Sequence, residues 1–306
     1  MTQEPAFKQL CVVGLGLIGG SLAQALRAAG EVGRVVAWGR NETRLELGKK
    51  LGVIDDYSLN LADAVAGSDV VIIGTPTQIA EQTLRDLAPL MRDDMIVTDV
   101  ASVKGNLQRA AQTIWAEWPE NLVLGHPIAG SEQSGVEASR ADLFRHHRVI
   151  LTPQPANSRS VLARVRLLWE LAGAEVVEMD VDTHDRVLAR TSHLPHVLAY
   201  ALVDALAQGD TAEDVFRFAA GGFKDFTRIA SSDPTMWHDI ALANRDALLE
   251  SMDDFSANLQ QLRKAIEQGD GDTLAEVFQR AKTARDERFL PQYRQRAALK
   301  TELKGD

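Results

Sequence analysis

The chain of 306 residues contains one cysteine, 6% aromatic residues and no apolar run approaching the ~18 residues of a membrane-spanning helix. Cys11 lies in the apolar run Leu10–Val13 and has no second cysteine to pair with, which excludes a disulfide-stapled scaffold and fits a reducing compartment. Met1–Lys8 lacks both the apolar core of a signal peptide and an arginine-rich transit character, so a cytoplasmic location is expected. Positive charge is also short: 33 basic against 43 acidic residues give a net charge of −10. Nucleic acid or an anionic membrane would require a broad basic face, so neither is expected as the main partner. An anionic small molecule remains possible, because it needs only a local cationic pocket. What is present is globular in kind, with 45% hydrophobic and 25% charged residues, enough chain to bury a core.

The first half alternates short apolar runs with amphipathic stretches. Gln9–Val13, Val35–Trp38, Val70–Gly74, Met95–Asp99, Leu122–Gly125, Val149–Thr152 and Glu175–Met179 read as strands. Leu17–Ala29, Arg44–Leu51, Ile79–Leu90 and Val161–Leu171 read as helices between them. This alternation predicts an α/β Rossmann-type domain, a mostly parallel sheet with helices on both faces, over residues 1–181. From Asp182 the texture becomes helical and predicts an all-α domain over 182–306, with a loose polar tail from about Pro291. One helix, capped by Asp182 or Thr183, is expected to run to about Leu206, kinked at Pro195. Asp233-Pro234 is a start signal for another, expected to run to about Gln268. Along it Leu248, Met252, Phe255, Leu259, Leu262 and Ile266 repeat at alternating spacings of four and three, a coiled-coil-like seam. Such a seam is too apolar to face water and points to a homodimer through the helical half, the alternative being cover within one subunit by the Asp182–Leu206 and Thr273–Phe289 helices.

Gly14-Leu-Gly16-Leu-Ile-Gly19 follows the first strand and opens the first helix, the context in which G-x-G-x-x-G signals dinucleotide binding. Gly14 makes the tight turn, Gly16 leaves room for the pyrophosphate and Gly19 lets helix pack on strand, while the helix N-terminus presents free N–H groups to phosphate. The expected cofactor contacts are Gly14, Gly16, Leu17, Ile18, Gly19, Gly39, Arg40, Thr75 and Ser102. An acid that would grip a ribose 2′-hydroxyl is missing at the end of the second strand, where Gly39 is followed by Arg40. An arginine there suits a 2′-phosphate, so NADP is favoured over NAD.

Three segments carry the chemistry. Asp99-Val-Ala-Ser102-Val-Lys104 and Gly125-His126-Pro127-Ile-Ala-Gly130-Ser131-Glu132-Gln-Ser-Gly135 each end a strand, on the sheet edge where open α/β folds bind ligands. Gly221-Gly222-Phe223 through Arg228 to Pro234-Thr-Met-Trp237 lies in the helical half. Together with Thr183-His-Asp185 and Ser192-His-Leu-Pro-His196, in this order, the chain from Gly14 to about Phe289 resembles the prephenate/arogenate (cyclohexadienyl) dehydrogenase family.

That resemblance implies an NAD(P)-dependent oxidative decarboxylation of prephenate to 4-hydroxyphenylpyruvate, or of arogenate to tyrosine, in tyrosine biosynthesis. In the family reaction a base takes the proton of the ring hydroxyl while hydride leaves the same carbon and carbon dioxide departs as the ring becomes aromatic. His126 matches the base, as a near-neutral pKa suits. Ser102 matches a serine that bonds the reacting hydroxyl or the base; read alone it would be a helix N-cap. Arg228 matches the arginine that pairs with a substrate carboxylate, for which a planar guanidinium is well shaped. Glu132 resembles a gating or polar-network acid, and His196, Gly221 and Trp237 match pocket-lining positions, some contributed by a partner subunit. His193 and His196 stand three apart, but no cysteine or acidic third ligand accompanies them, so no metal is expected. Two other readings stay open: a β-hydroxyacid dehydrogenase of similar architecture, and a nucleotide-sensing protein that would keep Gly14–Gly19 without needing His126 and Arg228.

Overall fold

The computed structural model describes residues 4–131, 133–209 and 212–294. It begins with an eight-stranded sheet: β1 (Phe7–Val13), β2 (Val32–Trp38), β3 (Asp56–Ser58), β4 (Val70–Ile73), β5 (Ile96–Asp99), β6 (Leu122–Pro127), β7 (Arg148–Thr152) and β8 (Glu175–Glu178). The strands lie in the order β3-β2-β1-β4-β5-β6-β7-β8. All neighbours are parallel except β6 and β7, which run antiparallel with His126 opposite Ile150. Helices α1 (Leu17–Ala28), α2 (Glu42–Lys50), α3 (Leu61–Val65), α4 (Thr77–Leu87), α5 (Gly105–Ile114) and α6 (Arg159–Leu171) connect them. The short pieces β3, α3 and the helix α5 are additions to what the sequence pattern suggested. β3 carries no apolar run, and α3 is ordered by its cap, Asn60, whose side chain accepts from the N–H groups of Ala62 and Asp63.

Period-two alternation places the core. In β1, Leu10 and Val12 join a buried cluster with Leu22 and Leu26 of α1 and Trp169 of α6. Cys11 and Val13 point the other way, into a cluster with Leu84 of α4 and Leu107 of α5. A sheet buried on both faces needs apolar residues at every position, which is why β1 and β4 read as continuous hydrophobic runs. Burial pushes the Cys11 thiol up to about 12, so it is a small core side chain and no nucleophile.

After β8 the chain is helical: α7 (Val181–Leu188), α8 (Leu194–Ala207), α9 (Ala212–Arg217), α10 (Gly221–Thr227) and α11 (Pro234–Ala243). The helix foreseen with its cap at Asp182 or Thr183 is capped earlier, by Asp180, and is interrupted by a π-turn over Ala189–His193 just before Pro195. Proline offers no N–H to the preceding turn, and the wider π-turn absorbs the missing bond. The helix opened by Asp233 does not run through to Gln268 but stops at Ala243. Asn244 leaves the helical path, and its buried side chain donates to the backbone oxygen of Asp185 at 2.8 Å and meets His193 Nδ1 at 3.0 Å.

The chain separates into two compact units, Met1–Arg245 and Asp246–Asp306. The second comprises most of α12 (Arg245–Gln268), α13 (Gly271–Thr283) and a π-turn over Ala284–Phe289. Residues 290–294 remain helical, so the first part of the expected loose tail is ordered, and the rest lies outside the described residues. Of the apolar seam on α12, Leu248 is buried while Leu259 and Ile266 are 54% and 66% exposed. Among the described residues no helix is long and apolar enough to cross a membrane.

Candidate active site

Strand order reverses between β1 and β4, and the crevice at their carboxyl ends holds the glycine-rich turn. Gly14 sits at φ +96°, and a Cβ there would lie 2.8 Å from the backbone of Gly74 and Thr75, so only glycine allows the two turns to touch. A Cβ on Gly19 would meet Val12 Cγ1 at 2.5 Å, which is the close helix–strand packing the motif requires. Gly16 faces open space. Among the described residues no side chain caps the N-terminus of α1, and its first turn holds no acid, a terminus suited to an anion. Leu17 and Ile18 begin α1, half-buried. Gly39 and the exposed Arg40 follow β2, and the next residue, Asn41, caps α2 by accepting from Arg44 N at 3.1 Å.

Further along the same edge, Ser102 lies half-buried in the β5–α5 loop and His126 lies on β6, 8% exposed. Ser102 is not the helix cap that its residue type suggests. The N-terminus of α5 is closed by Asp185 from α7, whose carboxylate accepts from Lys104 N at 2.9 Å and Gly105 N at 2.8 Å. Beneath the loop a buried ion pair joins Lys104 Nζ to Asp99, and the same ammonium donates to Gly125 O at 2.6 Å. Asp99 in turn accepts from Gly125 N at 3.0 Å, which fixes the backbone next to His126.

His126 Nδ1 lies 2.9 Å from His184 Nε2, and His184 Nδ1 lies 2.8 Å from Asp185 Oδ1. Burial, then the neighbouring His184, Lys104 and His193, hold the His126 imidazole well below its ordinary pKa. Burial likewise lowers His184, against the pull of Asp185, and takes His193 to about 4.

A second group stands beside this one. His196 on α8 stacks on Trp237 of α11 with ring centroids 3.4 Å apart, and His193 approaches the edge of the same indole at 6.1 Å. His196 Nδ1 donates to Ser192 O at 2.8 Å, and burial followed by the charge of Arg228 outweighs that bond and lowers its pKa. Trp237 Nε1 is buried and has no hydrogen-bond partner among the described residues. Arg228 is exposed on a 3-10 turn after α10, within reach for its charge to act on His196. Gly221 starts α10 and is exposed, with open space where a Cβ would stand. Glu132 lies outside the described residues. His193 Nδ1 is engaged by Asn244 and His196 Nδ1 by Ser192 O, and among the described residues no group of three or more potential ligands is placed to hold a metal.

Two family models account for most of the chain: the nucleotide-binding domain of prephenate dehydrogenase over residues 22–178 and its dimerization domain over 180–280. The chain belongs to the prephenate dehydrogenase family. It is 36% identical to the cyclohexadienyl dehydrogenase of Zymomonas mobilis over 282 residues, 91% of this chain and 95% of that one. It is also 36% identical to the prephenate dehydrogenase of Bacillus subtilis, over 90% of this chain and 75% of the relative. Among solved structures, prephenate dehydrogenase from A. aeolicus, in complex with hydroxyphenyl propionate and NAD+, superposes with a TM-score of 0.85 at 36% identity, covering 92% of this chain and 98% of the other. Arogenate dehydrogenase from Synechocystis gives 0.77 at 30% identity, over 91% and 99%.

Lys104, Asp99, His184, Asp185 and Asn244 join the site of this family member without having stood out in its sequence as site residues. The segments Ser102-Val-Lys104 and Thr183-His-Asp185 carry three clues, since lysine, histidine and aspartate beside apolar residues need partners when buried. Nothing in the spacing shows that residues 81 positions apart, Lys104 and Asp185, meet.

Proposed function

We propose that this chain catalyses the NAD(P)-dependent oxidative decarboxylation of prephenate to 4-hydroxyphenylpyruvate, of arogenate to tyrosine, or of both, in the tyrosine pathway of the cytoplasm. The observation that carries the reading is His126, a buried imidazole at the carboxyl end of β6, on the edge that also holds the glycine-rich turn. The cofactor would lie over Gly14–Gly19, where the bend at Gly14, the open face of Gly16 and the uncapped N-terminus of α1 suit a pyrophosphate. Arg40, with no acid at the end of β2, favours NADP over NAD. Thr75 and Ser102 would complete that site. When bound, the nicotinamide supplies the hydride acceptor.

His126 takes the proton of the ring hydroxyl at Nε2, its Nδ1 being engaged by His184. Ser102 orients the hydroxyl or the base. Arg228 binds a substrate carboxylate, and His196, Trp237 and Gly221 line the ring's pocket, with Glu132 as a polar gate. Because aromatisation drives the chemistry, positioning the ring and accepting one proton is most of what the protein must do. Residues 1–181 would bind cofactor and 182–306 would bind substrate and form a homodimer, some pocket residues serving the partner's site.

Steady-state kinetics with prephenate and arogenate, each with NAD and NADP, test the reading. The expected result is turnover of at least one substrate and a higher kcat/KM with NADP. Turnover of a short hydroxy acid and of neither cyclohexadienyl substrate would refute it.

A further inference from the structure

Resting on the reading of His126 as the base, we propose that His184 and Asp185 are positioning residues that hold His126 with its ring proton on Nδ1, leaving Nε2 bare to receive the substrate's proton. The chain of bonds fixes the direction. Asp185 is an acceptor only, because its oxygens already take N–H bonds from Lys104 and Gly105. Burial works against its charge, but the bonds from His184, Lys104 and Gly105 outweigh burial and keep its pKa below the ordinary carboxylate value. His184 Nδ1, 2.8 Å away, must therefore carry a proton. His184 is buried and neutral near pH 7, so it has one ring proton and its Nε2 is an acceptor. His126 Nδ1, 2.9 Å from that Nε2, must then be the donor. Its own Nε2 has no proton.

The opposite arrangement would need a second proton on His184 or a neutral Asp185. Lys104 from the β5–α5 loop and His193 from the π-turn both face this cluster, and neither favours added positive charge there. The relay is also pinned at its Asp185 end. Asn244 holds the backbone oxygen of Asp185, and a Cβ on Gly105 would stand 2.7 Å from Asp185 Oδ2, so glycine at that position lets the carboxylate reach the α5 N-terminus. When His126 accepts the proton at Nε2, its Nδ1–H still points at His184, and the new charge is stabilised through the neutral ring towards Asp185. No proton passes to Asp185, and the logic is that of a base whose tautomer is set by a third group.

The test reads the tautomer directly, by long-range proton–nitrogen spectra of the full chain labelled with 15N-histidine near pH 7, His126 being assigned by its loss in His126→Asn. The wild type should show His126 with hydrogen on Nδ1 and a bare Nε2. His184→Leu should move the hydrogen to Nε2 in a large fraction of molecules and lower kcat by about tenfold or more, with KM and cofactor affinity nearly unchanged. His184→Gln, whose side-chain oxygen can accept from His126, should restore the Nδ1–H form and most of the rate. A wild-type spectrum with hydrogen on Nε2 overturns the proposal, whatever the variants do. So does a folded His184→Leu protein with wild-type kcat and pH profile. If wild type turns over neither cyclohexadienyl substrate, the functional reading fails instead, and the spectrum still decides the tautomer.

Discussion

At the scale of single residues, His126 combines burial with one engaged nitrogen, so its replacement should separate chemistry from binding. His126→Asn is expected to abolish turnover while cofactor affinity, measured by fluorescence titration, stays near wild type. Activity within about tenfold of wild type, ~1.4 kcal/mol of barrier, would remove it from the role of base. Arg228→Ala should instead act on binding. The charge of Arg228 reaches His196, and loss of a charge-assisted bond worth roughly 1.5–3 kcal/mol should raise the substrate KM about ten- to a hundredfold. An unchanged KM would return Arg228 to the role of a surface cation. Both residues stood out in the sequence because each sits in a motif. Asn244 did not, since its value comes from a bond to His193 51 positions away.

At the scale of elements, the parallel sheet and its helices were legible because strands buried on both faces are written as apolar runs and helices as stripes. What escaped was short or interrupted structure. β3 has three half-buried residues and no hydrophobic pattern, and the break at Asn244 is made by a side chain turning inward, invisible in a pattern that continues smoothly into α12. The π-turn before Pro195 was half foreseen, since proline announced a kink but not its form. The contact between α1 and β1 gives the test at this scale. A methyl on Gly19 would overlap Val12 Cγ1, so Gly19→Ala should lower stability by about 1–3 kcal/mol in urea titration, and Val12→Ala in the same chain should recover part of it. Simple additivity of the two losses would mean that the helix shifts away and that packing at Val12 is not the constraint.

At the scale of the whole molecule, three buried histidines with lowered pKa tie stability to pH. In the unfolded chain they bind protons below about 6.5, while folded His193 resists until about 4. Stability is therefore full above pH 6.5 and falls as pH drops towards 4, by on the order of 3 kcal/mol for His193 alone. Asp185, lowered in the folded state, adds its loss only below its unfolded value of 3.8. Chemical unfolding at pH 7.5 and 5 should show the difference, and equal stability at both would contradict the buried-histidine account. Assembly is the other property of this scale. Phe255, Leu259 and Ile266 on α12 and Phe278 on α13 are exposed in the single chain, the last three more than half so. A row of large apolar side chains at helical spacing in water is costly, and a second copy with the same row would cover it, as obligate interfaces on the order of 2,000 Å² or more do. The matched dimerization-domain model spans the same residues. We expect light scattering at low micromolar concentration to give twice 33.5 kDa, and Leu259→Glu with Ile266→Glu to shift the protein towards monomer and lower activity together. A monodisperse species at 33.5 kDa with full activity would remove the dimer and, with it, any service of His196 or Trp237 to a partner's site.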